Sequence, residues 1–132
     1  YGAQFRDSAD GRPTSGPVTY EVKPRKLGLL ATFKAKPERA EEFRQWLIDC
    51  YEIAMAERGT VTWYGFQSGD LEFGIFDTFD HEEGRQAHLH GGIVKSLREI
   101  SPEMLSCPPD VRLVGLLATK STVVPKTASV AV

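Results

Sequence analysis

Residues 61–79 read VTWYGFQSGDLEFGIFDTF. Two runs rich in aromatic and β-branched residues, VTWYGFQ (61–67) and LEFGIFDTF (71–79), flank the triplet Ser68-Gly69-Asp70. Such runs suit a pleated, half-buried surface, and a short glycine-bearing connection between them is a hairpin signal. The hairpin fixes the fold once its neighbours are placed. Upstream, PERAEEFRQWLIDCYEIAMAERG (37–59) opens with Pro37 and closes with Gly59, the usual asymmetry of a helix start and stop. Glu38, Glu41 and Glu42 fall in its first turns, where the helix dipole favours them. Phe43, Leu47, Cys50 and Ala54 make one apolar stripe at helical spacing. Downstream, a second helix is expected from near His81 to about Ile100, with PEMLS (102–106) adding a short turn and Pro108-Pro109 ending helical structure. Outermost lie LGLLATFK (27–34) and VRLVGLLAT (111–119), both apolar runs that read as buried strands.

The order is therefore β-α-β-β-α-β, an α+β ferredoxin-like sandwich with four antiparallel strands and both helices on one face. The uncovered face of such a sheet should be polar. It is not: Leu27, Leu29 and Phe33 alternate with Leu30, and Val111, Leu113 and Leu117 alternate with Val114, Leu116 and Ala118. Something covers the second face, and another copy of the same sheet is the simplest cover. A homodimer with sheets face to face, a dimeric α+β barrel, is expected.

Residues 26–120 form this domain. Residues 1–25, rich in Gly, Pro, Ser, Asp and Arg with a weak alternation at Val18, Tyr20 and Val22, read as a flexible arm with one short strand near its end. Residues 121–132 read as a second tail in which TVVP and SVAV offer an edge strand or a reach to a partner subunit. The first residue is Tyr1 rather than Met, which leaves room for a removed start. The 132 residues carry a net charge of −2, so nothing steers the chain toward nucleic acid or an acidic membrane surface. No apolar run reaches the roughly 20 residues of a membrane span, and no secretory signal is visible. Cys50 and Cys107 match no metal or redox spacing, which makes a reducing cytoplasm the default location.

Gly65 and Gly74 interrupt the two hairpin strands, where glycine costs stability. Two readings stand: space for a pocket between sheet and helices, or a bulge or close helix packing. Alternation puts Trp63, Gly65 and Gln67 on one face and Tyr64 and Phe66 on the other. The concentration of aromatic residues, from Phe33 and Trp46 to Phe76 and Phe79, is either plain core or the wall of a cavity for a flat phenolic or quinone-like ligand. The stretch RQAHLHGGIV (85–94) adds two histidines and two glycines. On a regular helix, residues two apart diverge by roughly 200°, so His88 and His90 do not share a metal ion, and no further ligand cluster completes a site. Helical phase relative to Leu89, Ile93, Leu97 and Ile100 puts His90 at the border of the buried stripe. A break at Gly91-Gly92 would instead let His88 turn inward. Arg85 either steadies an anion or phenolate or pairs with Glu82. No nucleophile elbow and no phosphate-binding glycine loop is present.

LGLLATFKAKPERAEEFRQWL, FGIFDTFDHEEGRQAHL and PPDVRLVGLLATK together resemble antibiotic biosynthesis monooxygenase domains. The resemblance spans about residues 26–120, and its content is element order and spacing rather than a catalytic signature. It implies a dimeric barrel and cofactor-free oxidation of phenolic or hydroquinone-like compounds to quinones by molecular oxygen. The site would lie between sheet and helices within each subunit. The matching positions are Phe33, Trp63, Tyr64, Phe66, Phe76, Thr78 and His88, the His of "AHL". In this reading His88 or His90 takes the phenolic proton, with His88 preferred, and Trp63 and Tyr64 orient the anion. Phe33, Phe66, Phe76, Thr78 and Arg85 hold the substrate, and neither metal nor flavin is needed. A branch of the fold degrades haem with an Asn on the first strand, a Trp ending the third and a His on the second helix. Here the first strand has no Asn, Phe79 stands at the Trp position, and Lys95 or Ser96 at the His position, which argues against that chemistry. The competing reading is a non-catalytic dimeric module that binds a small hydrophobic metabolite.

Overall fold

The computed structural model describes residues 20–21, 25–120 and 124–125. Residues 25–118 form one compact unit. Outside it, Tyr20–Glu21 (β1) pairs antiparallel with Val124–Pro125 (β6). The rest of the expected arm and tail, SVAV included, lies outside the described residues.

Within residues 25–118 the chain runs β2 (Leu27–Lys34), a 3₁₀ turn (Pro37–Arg39), α1 (Ala40–Ala56), β3 (Thr60–Gln67), β4 (Glu72–Phe79), α2 (Glu82–Leu89), α3 (Gly92–Met104) and β5 (Asp110–Gly115). The four strands form one antiparallel sheet in the order β3-β4-β2-β5, the expected ferredoxin-like arrangement. The hairpin closes through Ser68 and Gly69, whose amides both donate to Glu72 O.

Register explains the faces. Leu29 lies opposite Asp77, Ala31 opposite Ile75 and Phe33 opposite Phe73, so these six share the helix-facing side. All six are buried. Phe43, Leu47, Cys50 and Ala54 of α1, the stripe read from the sequence, close over them with Ile93 and Leu97 of α3. Leu30, Phe76 and Tyr64 form a ladder across the other face. Leu30 and Phe76 are only part-buried there, and Tyr64 is exposed.

Three elements differ from expectation. The last strand ends at Gly115 rather than 119, and Leu117 is wholly exposed. PEMLS is no separate turn, because α3 passes through Pro102 to Met104. The helix expected from His81 to Ile100 is two helices, since His90 caps α2 and α3 restarts at Gly92. On one continuous helix, residues five apart point about 140° away from each other. The break lets both His88 and Ile93 be buried.

Candidate functional site

Two neighbouring cavities open between α1 and β3. The larger, about 430 Å³, is walled by Leu47, Ile48 and Tyr51 of α1 and by Trp63, Gly65 and Gln67 of β3, with Arg44 at its edge. The smaller, about 250 Å³, is walled by Tyr51, Ala54, Glu57, Thr60, Thr62 and Trp63. Tyr51 and Trp63 belong to both. Gly65 keeps the larger one open: a Cβ there would stand 3.1 Å from the Trp63 ring and 3.2 Å from Leu47. Gly74 does not serve the same end, because the Phe66 ring lies across it on the opposite sheet face. Trp63 Nε1 is buried and finds no acceptor among the described residues. An indole N–H normally has a partner when buried, so this donor stands out as unsatisfied.

Beside the smaller cavity sits a polar cluster. Glu57 follows the last residue of α1, with extended backbone. Its Oε1 accepts from the Thr60 hydroxyl at 2.8 Å and lies 2.7 Å from His88 Nδ1. His88 Nε2 lies 3.1 Å from Asp77 Oδ2. That second contact is electrostatic rather than an aligned hydrogen bond, since neither Asp77 oxygen has a hydrogen-bond partner. Asp77 is fully buried, and burial pushes its pKa up from 3.8 to about 6 against the opposing pull of His88. The Phe79 ring, 5.7 Å from the imidazole between centroids, closes the cluster on its apolar side.

Backbone devices set this geometry. Gly59 and Gly84 touch main chain to main chain: a Cβ on Gly59 would be 2.7 Å from Gly84 Cα, and one on Gly84 the same distance from Gly59 O. Only two glycines allow α2 so close to the start of β3. A bulge follows at once, as Thr60 pairs with Phe79 and Thr62 with Thr78, leaving Val61 over. Bulges re-aim side chains, and here the result is Thr60 against Glu57 and Trp63 beside Asp77. Gly91 completes the arrangement, because a Cβ there would stand 3.1 Å from Glu57 Oε2.

The residues singled out from sequence are not all brought together. Trp63 lines both cavities and Phe66 contributes to the wall of the larger one. His88 is buried and faces inward, but Glu57 and Asp77 occupy both of its nitrogens, so it stands behind the smaller cavity rather than in it. His90 is exposed and its Nδ1–H donates to Gln86 O, 2.8 Å away, at the end of α2. Tyr64 and Phe76 lie on the opposite sheet face, and Thr78 there bonds Thr62 at 2.7 Å. Phe33 belongs to the aromatic core with Phe43. Arg85 pairs with Glu82 and donates to the carbonyls of Gly28 and Val114, holding α2 to the sheet. Among the described residues, no group of three or more His, Cys, Asp or Glu is arranged to hold a metal ion. No helix there is long and apolar enough to cross a membrane.

Tyr51 belongs to the aromatic group read from the sequence, whereas Glu57, Asp77 and Arg44 were missed. Two of them carried a signal. Asp77 occupies the inward phase of Phe73, Ile75 and Phe79, a charge in an apolar row. Glu57 puts an acid just past a helix C-terminus, where the dipole disfavours it.

No family model and no curated protein matches the chain. Solved structures do. The fold is that of antibiotic biosynthesis monooxygenases. A protein from Nitrosomonas europaea provisionally named as one superposes with a TM-score of 0.63 at 16% identity, over 70% of this chain and 99% of its own. Another so named, from Caulobacter crescentus, gives 0.62 at 15% identity, over 73% and 93%. A nearer likeness is NE2512, a Nitrosomonas europaea protein of unknown function. It shares 38% identity over 76% of this chain and 98% of its own, with a TM-score of 0.73. The chain belongs to the same family as NE2512.

Proposed function

We propose that the protein is a monooxygenase that oxidises a flat phenolic or hydroquinone-like compound with molecular oxygen and no cofactor, in the cavities between α1 and β3. The observation that carries this reading is Trp63, a wall of both cavities with a buried indole N–H and no protein acceptor. Apolar walls admit an aromatic ring, and a lone fixed donor suits the oxygen of a phenol or the anion it becomes. A phenolate is a much better electron donor than a phenol. In the balanced reaction a hydroquinone and one dioxygen give a hydroxyquinone and one water. One oxygen atom enters the ring, and the other leaves with two hydrogens. Two structural neighbours are provisionally named antibiotic biosynthesis monooxygenases, which supports an oxygenase reading.

The test is oxygen uptake over a panel of hydroquinones and anthrones. Uptake on one member, falling about 100-fold in Trp63→Phe with the fold intact, is expected. Saturable binding with no uptake across the panel would leave the non-catalytic binding module instead. The absence of Tyr64 and of any histidine from the cavity walls is what keeps that second reading alive.

We also infer that a second copy covers the outer sheet face, where Leu30, Phe66, Phe76 and Tyr64 are at most part-buried. Light scattering at micromolar concentration is expected to give the dimer mass, and a monomer overturns the inference.

A further inference from the structure

The smaller cavity has a wall that sequence reading did not supply. Of the residues lining it, Glu57 alone carries a charge. Its carboxylate is held rather than free to swing, because Oε1 accepts from Thr60 and contacts His88. Oε2 makes no hydrogen bond among the described residues, and Gly91 leaves it room. The groups that face it are accounted for by element. His88 comes from α2, Asp77 lies behind His88 on β4, and Cys50 is on α1. Burial pushes the Cys50 thiol up to about 12, so it stays uncharged and leaves the proton chemistry to the other three.

We propose that Glu57 is the catalytic proton acceptor of the cavity, taking the hydroxyl proton of a phenolic substrate, with His88 and Asp77 as its buried positioning residues. The inference rests on the function proposed above and names the group that the histidines had been expected to supply. The physical case is threefold. A carboxylate with one oxygen engaged and one unengaged, in a cavity wall, is placed to receive a proton. The imidazole between two carboxylates fixes the ring, and through it the Glu57 rotamer, as an orienting acid does in other base-assisted sites. Burial disfavours the Asp77 anion and raises its pKa to about 6, which places a second proton-accepting carboxylate behind His88. In the step itself the O–H bond breaks, the proton forms a bond to a Glu57 oxygen, and the electron pair stays on the phenolate for transfer to dioxygen. Trp63, whose strand position is opposite Asp77, donates to the anion so formed.

A merely structural Glu57 would not read the substrate's hydroxyl, and the test uses that. Binding of a hydroquinone and of its dimethyl ether is measured without oxygen for the wild type and for Glu57→Gln. A hydrogen bond to a carboxylate discriminates by about tenfold or more. Wild type is expected to prefer the hydroquinone by that factor, and Glu57→Gln to bind both alike. With oxygen present, Glu57→Gln is expected to lose about 100-fold in turnover. If Glu57→Gln keeps the preference, the proposal is overturned and the oxygenase reading survives. If the preference depends on Glu57 but no compound consumes oxygen, the acceptor stands and the oxygenase reading falls. If neither compound binds wild type, both fall. Should Glu57→Gln not fold, Thr60→Val serves. It removes a donor from Oε1 and is expected to raise the hydroxyl preference about threefold, and an unchanged or lowered preference overturns the proposal.

Discussion

One sheet and one set of helices enclose two unlike interiors. Toward the chain's hairpin end, Phe43 packs 5.3 Å from Phe33, 5.4 Å from Phe73 and 5.2 Å from Trp46, ring to ring. Four residues along β4 from Phe73, the same face carries Asp77, against His88 and Glu57. The aromatic end is held by area removed from water, which needs only volume and shape. The charged end gains nothing from burial unless each charge meets a partner at a fixed distance. It therefore needs the Gly59–Gly84 contact, the bulge at Val61 and the broken helix at His90, while the aromatic end needs none of these. Strong packing stabilises the fold, and the imperfectly satisfied end is where the proposed proton transfer is placed.

The comparison can be broken most forcefully from either side. Phe43→Ala removes a fully buried ring and is expected to cost about 3–5 kcal/mol in denaturant unfolding, equally at acid and neutral pH. His88→Ala removes the imidazole that lies between Asp77, fully buried, and Glu57, part-buried, and is expected to cost about 3–5 kcal/mol at neutral pH. That cost should shrink to less than half below about pH 5, where Asp77 is protonated. Equal pH dependence in the two variants would erase the distinction between the two ends.

Asp77 sharpens the same point. Its pKa is raised on folding, from 3.8 to about 6, so between those values the folded state holds more protons than the unfolded state. Stability from this group is fully present below the lower value and is lost as pH rises through the upper one. This is the reverse of a carboxylate in a good salt bridge. Relative to Asp77→Asn, the wild type is expected to lose roughly 2–3 kcal/mol as pH goes from about 4 to about 7. A flat difference across that range would show that His88 fully compensates the buried charge.

The aromatic end was legible from sequence and the charged end was not, for one physical reason. Phe43, Leu47, Cys50 and Ala54 announce a buried stripe by period alone, and the hairpin announces its own register. The polar cluster is made by contacts between residues 57, 77 and 88, which no local period encodes. The sequence showed that His88 and His90 could not both face inward. It also marked Gly91-Gly92 as the place where the phase is reset, but the choice depended on where α2 stops. Gly59 was read as a helix stop, whereas α1 ends at Ala56 and Gly59 is the partner of Gly84. That pair is the next point of attack. Gly84→Ala drives a methyl into the Gly59 carbonyl and is expected to cost about 1–3 kcal/mol. It should also shift the NMR signals of His88 while leaving those of Phe33 in place.

The smallest expected effect on stability is at Gly65, and it separates a cavity kept for a ligand from one left by loose packing. A Cβ at Gly65 would touch the Trp63 ring and Leu47 at 3.1 and 3.2 Å, distances at which both neighbours must give by a few tenths of an ångström. Against that strain, alanine restricts the unfolded chain and suits a strand better than glycine does. The two effects oppose each other, so Gly65→Ala is expected to change unfolding free energy by less than about 1 kcal/mol. Its cost should fall on the ligand, because the displaced indole carries a buried donor with no partner among the described residues. Affinity for a hydroquinone is expected to drop about tenfold, while the preference over the dimethyl ether, which depends on Glu57 in the neighbouring cavity, is kept. If Gly65→Ala instead loses stability with no change in binding, the glycine serves α1–β3 packing alone. The phenol would then have to sit wholly on the Glu57 side of Trp63.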